Sequence, residues 1–492
     1  MGIIQRQTIK GTFYSYIGIG IGFLTTGILF PKILSTEEIG LTRILVSYSL
    51  IFAQLGALGF GNAINRLFPY FRERESGHRG FLTLALVITL IGFILVSISM
   101  ELLKPLIVRN NIASSGLFVQ YYSYLTPLIF FTLFFNLLDS YTKAIYDAVV
   151  GTILKELVQR ILILLFLILY FFNLVDIHSF IILYMVALSL PTIFLIFVLI
   201  QKREFKFRKL GNIFNPAFKR EILVLCVYGI ITGLGTTIIL EFNSILVNKY
   251  LGLSQTGIYA TTFFFGTIII IPSRPLIKIA STILADAWKA RDIETIKMIY
   301  KKSCVTQALV SILLFAFLWV NIDNIFHIIP EEYESGKWVI FFIGLTNVIE
   351  MATGINSMII QTSEYYKINT FFIFIFLVLL IVSNIILIPI LGITGAAIGS
   401  LISNAFSNLL RFVFLKQKFN MQPFDYRIPL LILIGGFSYL IGYIIPTFEN
   451  FVIDIIVRSS VTGIIFMVIV LKLKISQDIN NSVNSILRIR LF

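Results

Sequence analysis

Residues 32–40 read KILSTEEIG, and residues 249–257 repeat the phrase as KYLGLSQTG. The shared Lys, Leu and Gly, which are Lys32, Leu34 and Gly40 in the first copy, recur 217 positions later, and each copy lies between two long apolar runs. Membrane proteins built from two similar halves are typical of transporters, in which two lobes rock about a shared cavity. The repeat therefore predicts two pseudo-symmetric six-helix lobes around a central cavity.

The composition is that of a polytopic membrane protein. Hydrophobic residues make up 58% of the chain, charged residues only 13%, and the mean hydropathy is +0.93. A bilayer core of about 30 Å needs roughly 20 apolar residues per helix. Because the apolar runs lack the alternation of outer-membrane strands, they predict an all-α fold. About 14 segments qualify as spans: 12–31, 41–67, 80–100, 118–142, 153–173, 179–200, 221–248, 257–281, 304–322, 338–360, 368–389, 395–415, 429–445 and 456–472.

The basic residues predict the orientation and the division of the chain. Most of the 39 Lys and Arg residues fall in segments that lie on one side when the N-terminus is cytoplasmic, as the positive-inside rule requires. We therefore expect both termini to lie in the cytoplasm. The predicted parts are an N-terminal lobe at 1–205, a basic linker at 206–220, a second lobe at 221–415, two further helices at 428–473 and a cytoplasmic tail at 474–492.

Several function classes find no support in the sequence. The net charge of +14 is explained by topology and by attraction to anionic membrane lipids, so nucleic acid is not an expected partner. Cys226 and Cys304 lack metal-ligand spacing, and no phosphate-binding loop of an ATP-driven motor is present. The three histidines fall in or near separate loops. We therefore predict a protein that is not an enzyme and that has no metal or organic cofactor.

Three motifs resemble a known family. The stretch LGALGFGNAINR at 55–66 resembles the second-helix motif of bacterial polysaccharide flippases. LADAWKARD at 284–292, preceded by Pro272 and Pro275, resembles their eighth segment, and LGITGAAIG at 391–399 resembles the turn into their twelfth helix. On these motifs the chain is identified as similar to the O-antigen or polysaccharide flippases, the Wzx type of the multidrug, oligosaccharidyl-lipid and polysaccharide exporter superfamily.

The resemblance implies a transport task. Such proteins move a lipid-linked oligosaccharide, typically on undecaprenyl pyrophosphate, from the cytoplasmic to the periplasmic leaflet. A cavity between two lobes would shield the sugar and the diphosphate while the polyprenyl tail stays in lipid. The partners expected from the resemblance are this substrate, membrane lipids and the polysaccharide polymerase machinery, and we expect a monomer.

Basic residues embedded in the apolar runs are candidates for binding the diphosphate, because charges inside a membrane are costly and an arginine fork donates paired hydrogen bonds. They are Arg43 and Arg66 near the two ends of the second segment and Arg274 in the eighth, with Lys278 one turn further on. Arg274 lies between two prolines, where a kink can direct the side chain inward. The alternative for all of them is snorkelling to lipid headgroups or structural pairing.

Embedded acidic residues are candidates for binding a coupling proton or sodium ion. Glu350 lies near the middle of the tenth segment and Glu241 in the outer half of the seventh. A carboxyl satisfied by hydrogen bonds between helices is the alternative for both. Asp139 is a further candidate, although Asp139, Lys143 and Asp147 follow at i, i+4 and i+8 and therefore also predict a self-neutralising ladder.

Two other functions remain open at this stage. A multidrug exporter of the same superfamily would share the two lobes, but the extra helix pair and the embedded arginines favour an anionic substrate. A membrane-integral polymerase or acyltransferase would need a large outward loop or a convergent set of acid, base and nucleophile, and neither is visible in the sequence.

Overall fold

The computed structural model describes residues 3–73, 77–111, 115–208, 216–476 and 480–481, and these residues are helical without any β-strand. The main helices are α1 Ile3–Gly22, α2 Thr36–Gly56, α3 Phe60–Leu67, α4 Phe81–Asn111, α5 Leu125–Ala144, α6 Gln159–Phe171, α7 Ile177–Gln201, α8 Pro216–Thr267, α9 Ser273–Ala290, α10 Ile293–Val320, α11 Lys337–Ala352, α12 Asn356–Thr362, α13 Tyr366–Leu391, α14 Ile393–Phe419, α15 Arg427–Ile444 and α16 Phe451–Lys472. Shorter turns include the π-helical stretches Phe23–Leu29 and Ile153–Val158.

All the predicted apolar segments fall on helices, yet fewer helices qualify as single spans. Within the described residues, 11 helices are long and apolar enough to cross a membrane, or up to 12 if a bent pair counts as one span. The predicted number of 14 is higher for three reasons: the helix Ile222–Ile270 counts once although it covers segment 221–248 and most of 257–281, segment 153–173 does not qualify, and one segment is bent. Segment 338–360 bends by 51° between α11 and α12, where Gly354 is left-handed, and segment 257–281 breaks at the 3₁₀ turn Ile268–Ile270.

The repeated phrase marks a helix break in both of its copies. In the first copy Ser35 is extended and caps α2, because its hydroxyl accepts from the Glu38 N–H while the Glu38 carboxylate accepts from the Ser35 N–H. In the second copy the equivalent position is Gly252, which interrupts α8 with a φ of 86° that only glycine adopts freely. The phrase therefore separates two consecutive helices each time.

The two copies also contact each other, and the contacts are reciprocal. A Cβ placed on Gly40 would overlap the carbonyl oxygen of Leu253, and one placed on Gly257 would overlap the carbonyl oxygen of Thr36. Thr36 and Leu253 are equivalent positions of the repeat, as are Gly40 and Gly257. Beside them the hydroxyls of Thr36 and Ser254 are 2.9 Å apart. Glycine at both positions thus permits close backbone packing with local two-fold character.

The chain forms two compact units, and the boundary between them follows Ala260. The first therefore contains most of α8, which packs on α2 through the repeated phrases, whereas the sequence assigns residues 221–260 to the second lobe. The core at one end of the first unit is aromatic, with Phe60, Phe68 and Tyr141 fully buried. The proposed lobe boundaries at 205 and 221 and the superposition of two six-helix lobes stay predictions.

The C-terminal helix pair belongs to the second unit. α15 and α16 pack on α10 through Leu431 and Phe466. Arg458 lies inside α16 and is buried. Its Nε is 3.1 Å from the Asp454 carboxylate one turn earlier, so this arginine serves helix packing.

Candidate functional site

Two of the predicted site residues pair with each other. Arg43 on α2 places Nη2 at 2.8 Å from Glu241 Oε2 on α8, and its Nε donates to Ser244 Oγ at 3.0 Å. The hydroxyl of Ser47 donates to the same Glu241 oxygen at 2.8 Å. Glu241 is only 7% exposed. Arg43, a candidate for binding the diphosphate, and Glu241, a candidate for binding the coupling ion, thus neutralise each other in this conformation.

Asp139 on α5 forms the predicted ion pair with Lys143, but the ladder stops there. Because α5 ends at Ala144, Asp147 lies beyond the helix and pairs instead with Lys202. The Oδ1 atom of Asp139 is buried and has no hydrogen-bond partner within the described residues. A Cβ on Gly151 would overlap this oxygen, so glycine at that position makes room for the carboxylate.

Glu350 lies in a network of amides between α11 and α14. Its Oε2 accepts hydrogen bonds from the side-chain amides of Asn404 at 3.0 Å and Asn408 at 2.7 Å. The Asn408 oxygen in turn accepts from Thr353 Oγ1 at 3.0 Å and from Asn356 Nδ2 at 2.9 Å. The carboxylate is therefore held by hydrogen bonds between helices.

Arg411 extends this network and was not a predicted site residue. It is 8% exposed, interacts electrostatically with Glu350, and has an Nε atom without a hydrogen-bond partner within the described residues. The signal was present in the sequence, since Asn404, Asn408 and Arg411 follow at i, i+4 and i+7 and thus share one face of an apolar helix.

Arg274 and Lys278 lie near the start of α9 and are exposed. Pro272 caps the helix directly after the 3₁₀ turn Ile268–Ile270. Neither basic side chain has an ion-pair partner in the described part of the chain. The backbone of Arg66 lies in α3, but its side chain is outside what the structure describes.

A cavity of about 130 Å³ lies among the helices of the first unit. Lys155, in the π-helical turn before α6, lines this cavity and is exposed there, with its ammonium 5.5 Å from the centre of the Phe135 ring. The other lining residues are Val46, Ser49, Leu50, Thr132, Phe135, Asn136, Gln159, Leu188 and Pro191. Lys155 was not among the predicted site residues, and the sequence gives no local signal of its place in this cavity.

A second cavity of about 170 Å³ shares Asn136 with the first. Gln54, Thr89 and Ser140 add further polar groups, and Gly59, Gly61 and Gly229 supply small surfaces. A Cβ on Gly229 would overlap the backbone of Gly59, so the approach of α8 to this end of α2 and α3 depends on glycine. The interior of the first unit is thus polar and partly open.

The described residues contain no group of three or more His, Cys, Asp or Glu side chains that could hold a metal ion. Two histidines have other partners: His78 Nε2 is 2.9 Å from Glu204 Oε2, and His178 Nδ1 is 2.8 Å from the Tyr121 hydroxyl. The candidate groups for transport are therefore the Arg43–Glu241 pair, Asp139, the Glu350 network, the exposed cations of α9 and the Lys155 cavity.

No family model and no curated protein matches the chain, but solved structures do. The lipid II flippase MurJ in an inward closed conformation matches with a TM-score of 0.71 and 15% identity over 96% of this chain and 98% of that one. An inward-facing multidrug resistance MATE family transporter of the MOP superfamily matches with a TM-score of 0.63 and 17% identity over 81% and 94%. A MOP superfamily transporter from Pyrococcus furiosus, described as having a binding pocket of reverse polarity, matches with a TM-score of 0.57 and 14% identity over 84% and 95%.

These neighbours are transporters and flippases rather than enzymes, which agrees with the prediction of a protein that is not an enzyme. At such low identity the likeness establishes the fold. The chain has the all-helical, multi-pass membrane fold of the MOP superfamily transporters, as the sequence predicts.

Proposed function

We propose that this protein is a flippase that moves a polyprenyl-pyrophosphate-linked oligosaccharide from the cytoplasmic to the periplasmic leaflet by alternating access. The extent of the structural match carries the proposal. The MurJ flippase aligns with 96% of this chain, whereas the MATE transporters align with 81 to 85%. The flippase therefore accounts for almost the whole chain, including more of it than a drug exporter does.

The distribution of charge also favours an anionic substrate. Exporters of cationic drugs need a carboxylate that is free to meet the drug. Here Glu241 is paired with Arg43, Asp139 is paired with Lys143, and Glu350 accepts two amide hydrogen bonds. By contrast Lys155 and Arg274 form no ion pair within the described residues. Cations that remain available suit a substrate with negatively charged groups.

The diphosphate would be bound by Arg274 and Lys278, with Arg66 as a further candidate. Arg43 would join them only when its pair with Glu241 opens. Replacing Arg274 with Lys keeps the charge but loses the fork, so we expect reduced transport, and replacement with Ala should abolish it. Lys289, an exposed cation at the other end of α9, is the matched control and should tolerate Ala. Full complementation by Arg274→Ala would show that Arg274 is not needed to bind the diphosphate.

Coupling to a proton or a sodium ion is part of the proposal, with Asp139, Glu350 and Glu241 as candidate ligands. Asp139 differs from the other two in having a buried oxygen, Oδ1, that has no hydrogen-bond partner within the described residues, so a bound proton or ion would compensate it. We further propose that the protein resides in the bacterial inner membrane with both termini in the cytoplasm, acts as a monomer and supplies substrate to a polysaccharide polymerase.

A deletion strain tests the flippase proposal. Loss of the protein should leave the lipid-linked oligosaccharide on the cytoplasmic leaflet, where a membrane-impermeant lectin or oxidant cannot reach it in spheroplasts. Expression of the wild-type chain should restore labelling. Normal labelling of the outer leaflet without the protein would refute the proposal. Increased sensitivity of the same strain to cationic drugs, with labelling unchanged, would favour the multidrug exporter instead.

A further inference from the structure

Lys155 reaches the middle of the helical layer rather than its edge. The cavity that it lines is bounded by Val46 and Leu50 near the middle of α2, by Thr132 and Asn136 in α5, and by Pro191 in the middle of α7. An ammonium group at such a depth is costly unless it has a partner or a function. The position of Lys155 therefore requires an explanation that snorkelling to a headgroup does not give.

The acidic residues around Lys155 each have another cation as their partner. Lys155 interacts electrostatically with Asp139, Glu156 and Glu241, but it forms no ion pair with any of them. Asp139 pairs with Lys143, Glu156 with Arg160 at 2.7 Å, and Glu241 with Arg43 at 2.8 Å. Among the described side chains of this group, three carboxylates thus meet three other cations. Lys155 is the positive charge left over.

The polar side chains around Lys155 in the cavity are also available to bind a ligand. The side chains of Asn136, Gln159 and Thr132 form no hydrogen bond within the described residues, and the same holds for Gln54 in the adjoining cavity. Amides offer both a donor and an acceptor, which suits the vicinal hydroxyls of a sugar. A single ammonium matches the single charge of a carboxylate, whereas a diphosphate would call for several cations.

We propose that the Lys155 cavity binds a carboxylate-bearing sugar, such as a uronic acid, of the translocated oligosaccharide. The inference rests on the proposed function for its physiological context. Lys155 donates to the sugar carboxylate, while Asn136 and Gln159 bind hydroxyls of the ring. The π-helical turn Ile153–Val158 presents the ammonium to the cavity, as π-bulges often do at functional sites. Lys155 accordingly selects oligosaccharides that contain an acidic sugar.

Calorimetric titration of the purified full-length protein in detergent tests the site. The probes are D-glucuronate, D-glucose and inorganic pyrophosphate, and the variants are Lys155→Gln, Lys155→Arg and Asn136→Ala. We expect wild type to bind glucuronate, and Lys155→Gln to weaken that binding by roughly ten- to a hundred-fold, since a hydrogen bond to a charged group is lost. Lys155→Arg should bind glucuronate better than the Gln variant. Asn136→Ala should weaken the binding of glucuronate and the binding of glucose to a similar extent.

The matched control is Lys104→Gln, which removes an exposed lysine of the same unit that lies 3.6 Å from Glu101. It should bind glucuronate like wild type. Removing an unpaired interior charge should not lower the melting temperature, so a folded Lys155→Gln protein is expected. Wild-type glucuronate binding by that variant would overturn the proposal, and so would Lys155-dependent binding of pyrophosphate in place of glucuronate.

The binding assay does not depend on transport, so the two proposals can fail separately. Lys155-dependent binding of glucuronate without any effect of the deletion on leaflet labelling would uphold the sugar site and refute the flippase. A flippase phenotype of the deletion strain without any binding of glucuronate would uphold the flippase and refute the sugar site.

Discussion

The ion pair between Arg43 and Glu241 changes how the embedded charges of this chain are understood. Each residue alone suggests function, because an isolated charge inside the membrane is expensive. In the structure the two charges neutralise each other. Ser244 accepts a further hydrogen bond from Arg43, and Ser47 donates one to Glu241. The pair is therefore best regarded as a contact between α2 and α8 that can hold one conformation.

This interpretation predicts a specific pattern of stabilities. Arg43→Gln leaves Glu241 as a buried carboxylate without its cation and should destabilise the protein by about 3 kcal/mol. The double variant Arg43→Gln/Glu241→Gln leaves two amides that can bond to each other, so its melting temperature in detergent should lie above that of the single variant. Lys104→Gln is the control, because exposed pairs contribute little. Additive losses in the double variant would contradict the pairing.

At the same scale, sequence alone could predict only the pairs that helical spacing determines. Asp139 and Lys143 lie one turn apart, and their ion pair follows from that spacing. The partners Arg43 and Glu241 come from distant helices, and nothing in either local pattern connects them. Lys155 was missed for a related reason: a lysine close to a basic segment looks like a topology signal until neighbouring helices enclose it.

At the scale of elements, the repeated phrase is both a helix break and a contact. The apolar runs predicted where helices occur, because burial in lipid demands long apolar stretches. They did not predict where helices break, because a single residue such as Gly252 or Gly354 with a left-handed backbone ends a helix without altering the average hydropathy. The glycines of the phrase at positions 40 and 257 have a second role, since they allow α2 and α8 to touch through their backbones.

The contact between the two copies of the phrase can be trapped chemically. Thr36→Cys/Ser254→Cys should form a disulfide under mild oxidation, because the native hydroxyls are 2.9 Å apart. If transport requires α2 and α8 to separate here, oxidation should block transport and a reductant should restore it. The background must lack Cys226 and Cys304, both of which are free thiols. Each single cysteine variant serves as control, and a crosslinked protein that transports at the wild-type rate would show that the contact stays closed throughout the cycle.

At the scale of the whole molecule, the distribution of charge supports the proposed anionic cargo. The carboxylates Glu241 and Glu350 are satisfied by the protein, while Lys155 in the first unit and Arg274 and Lys278 in the second form no ion pair within the described residues. An anionic lipid leaving a cytoplasm that is electrically negative moves with the membrane potential, which contributes about 2.3 kcal/mol per charge and 100 mV. Export could therefore be driven by the potential alone or by a coupled ion.

The last prediction separates these two sources of energy. Asp139→Asn and Glu350→Gln remove the charge of the two carboxylates that lack an ion pair with a neighbouring helix, and Glu241→Gln is compared as the paired case. In proteoliposomes with an imposed proton or sodium gradient, we expect Asp139→Asn to lose most of its gradient dependence at an unchanged melting temperature, because its buried Oδ1 has no hydrogen-bond partner within the described residues and a bound proton or ion would compensate it. Glu350→Gln should lose less, since its amide network holds the carboxylate in place. If wild type and all three variants respond alike to a potassium-valinomycin potential and none of them responds to an ion gradient, none of these three carboxylates couples transport to an ion, and the charge of the substrate itself accounts for export.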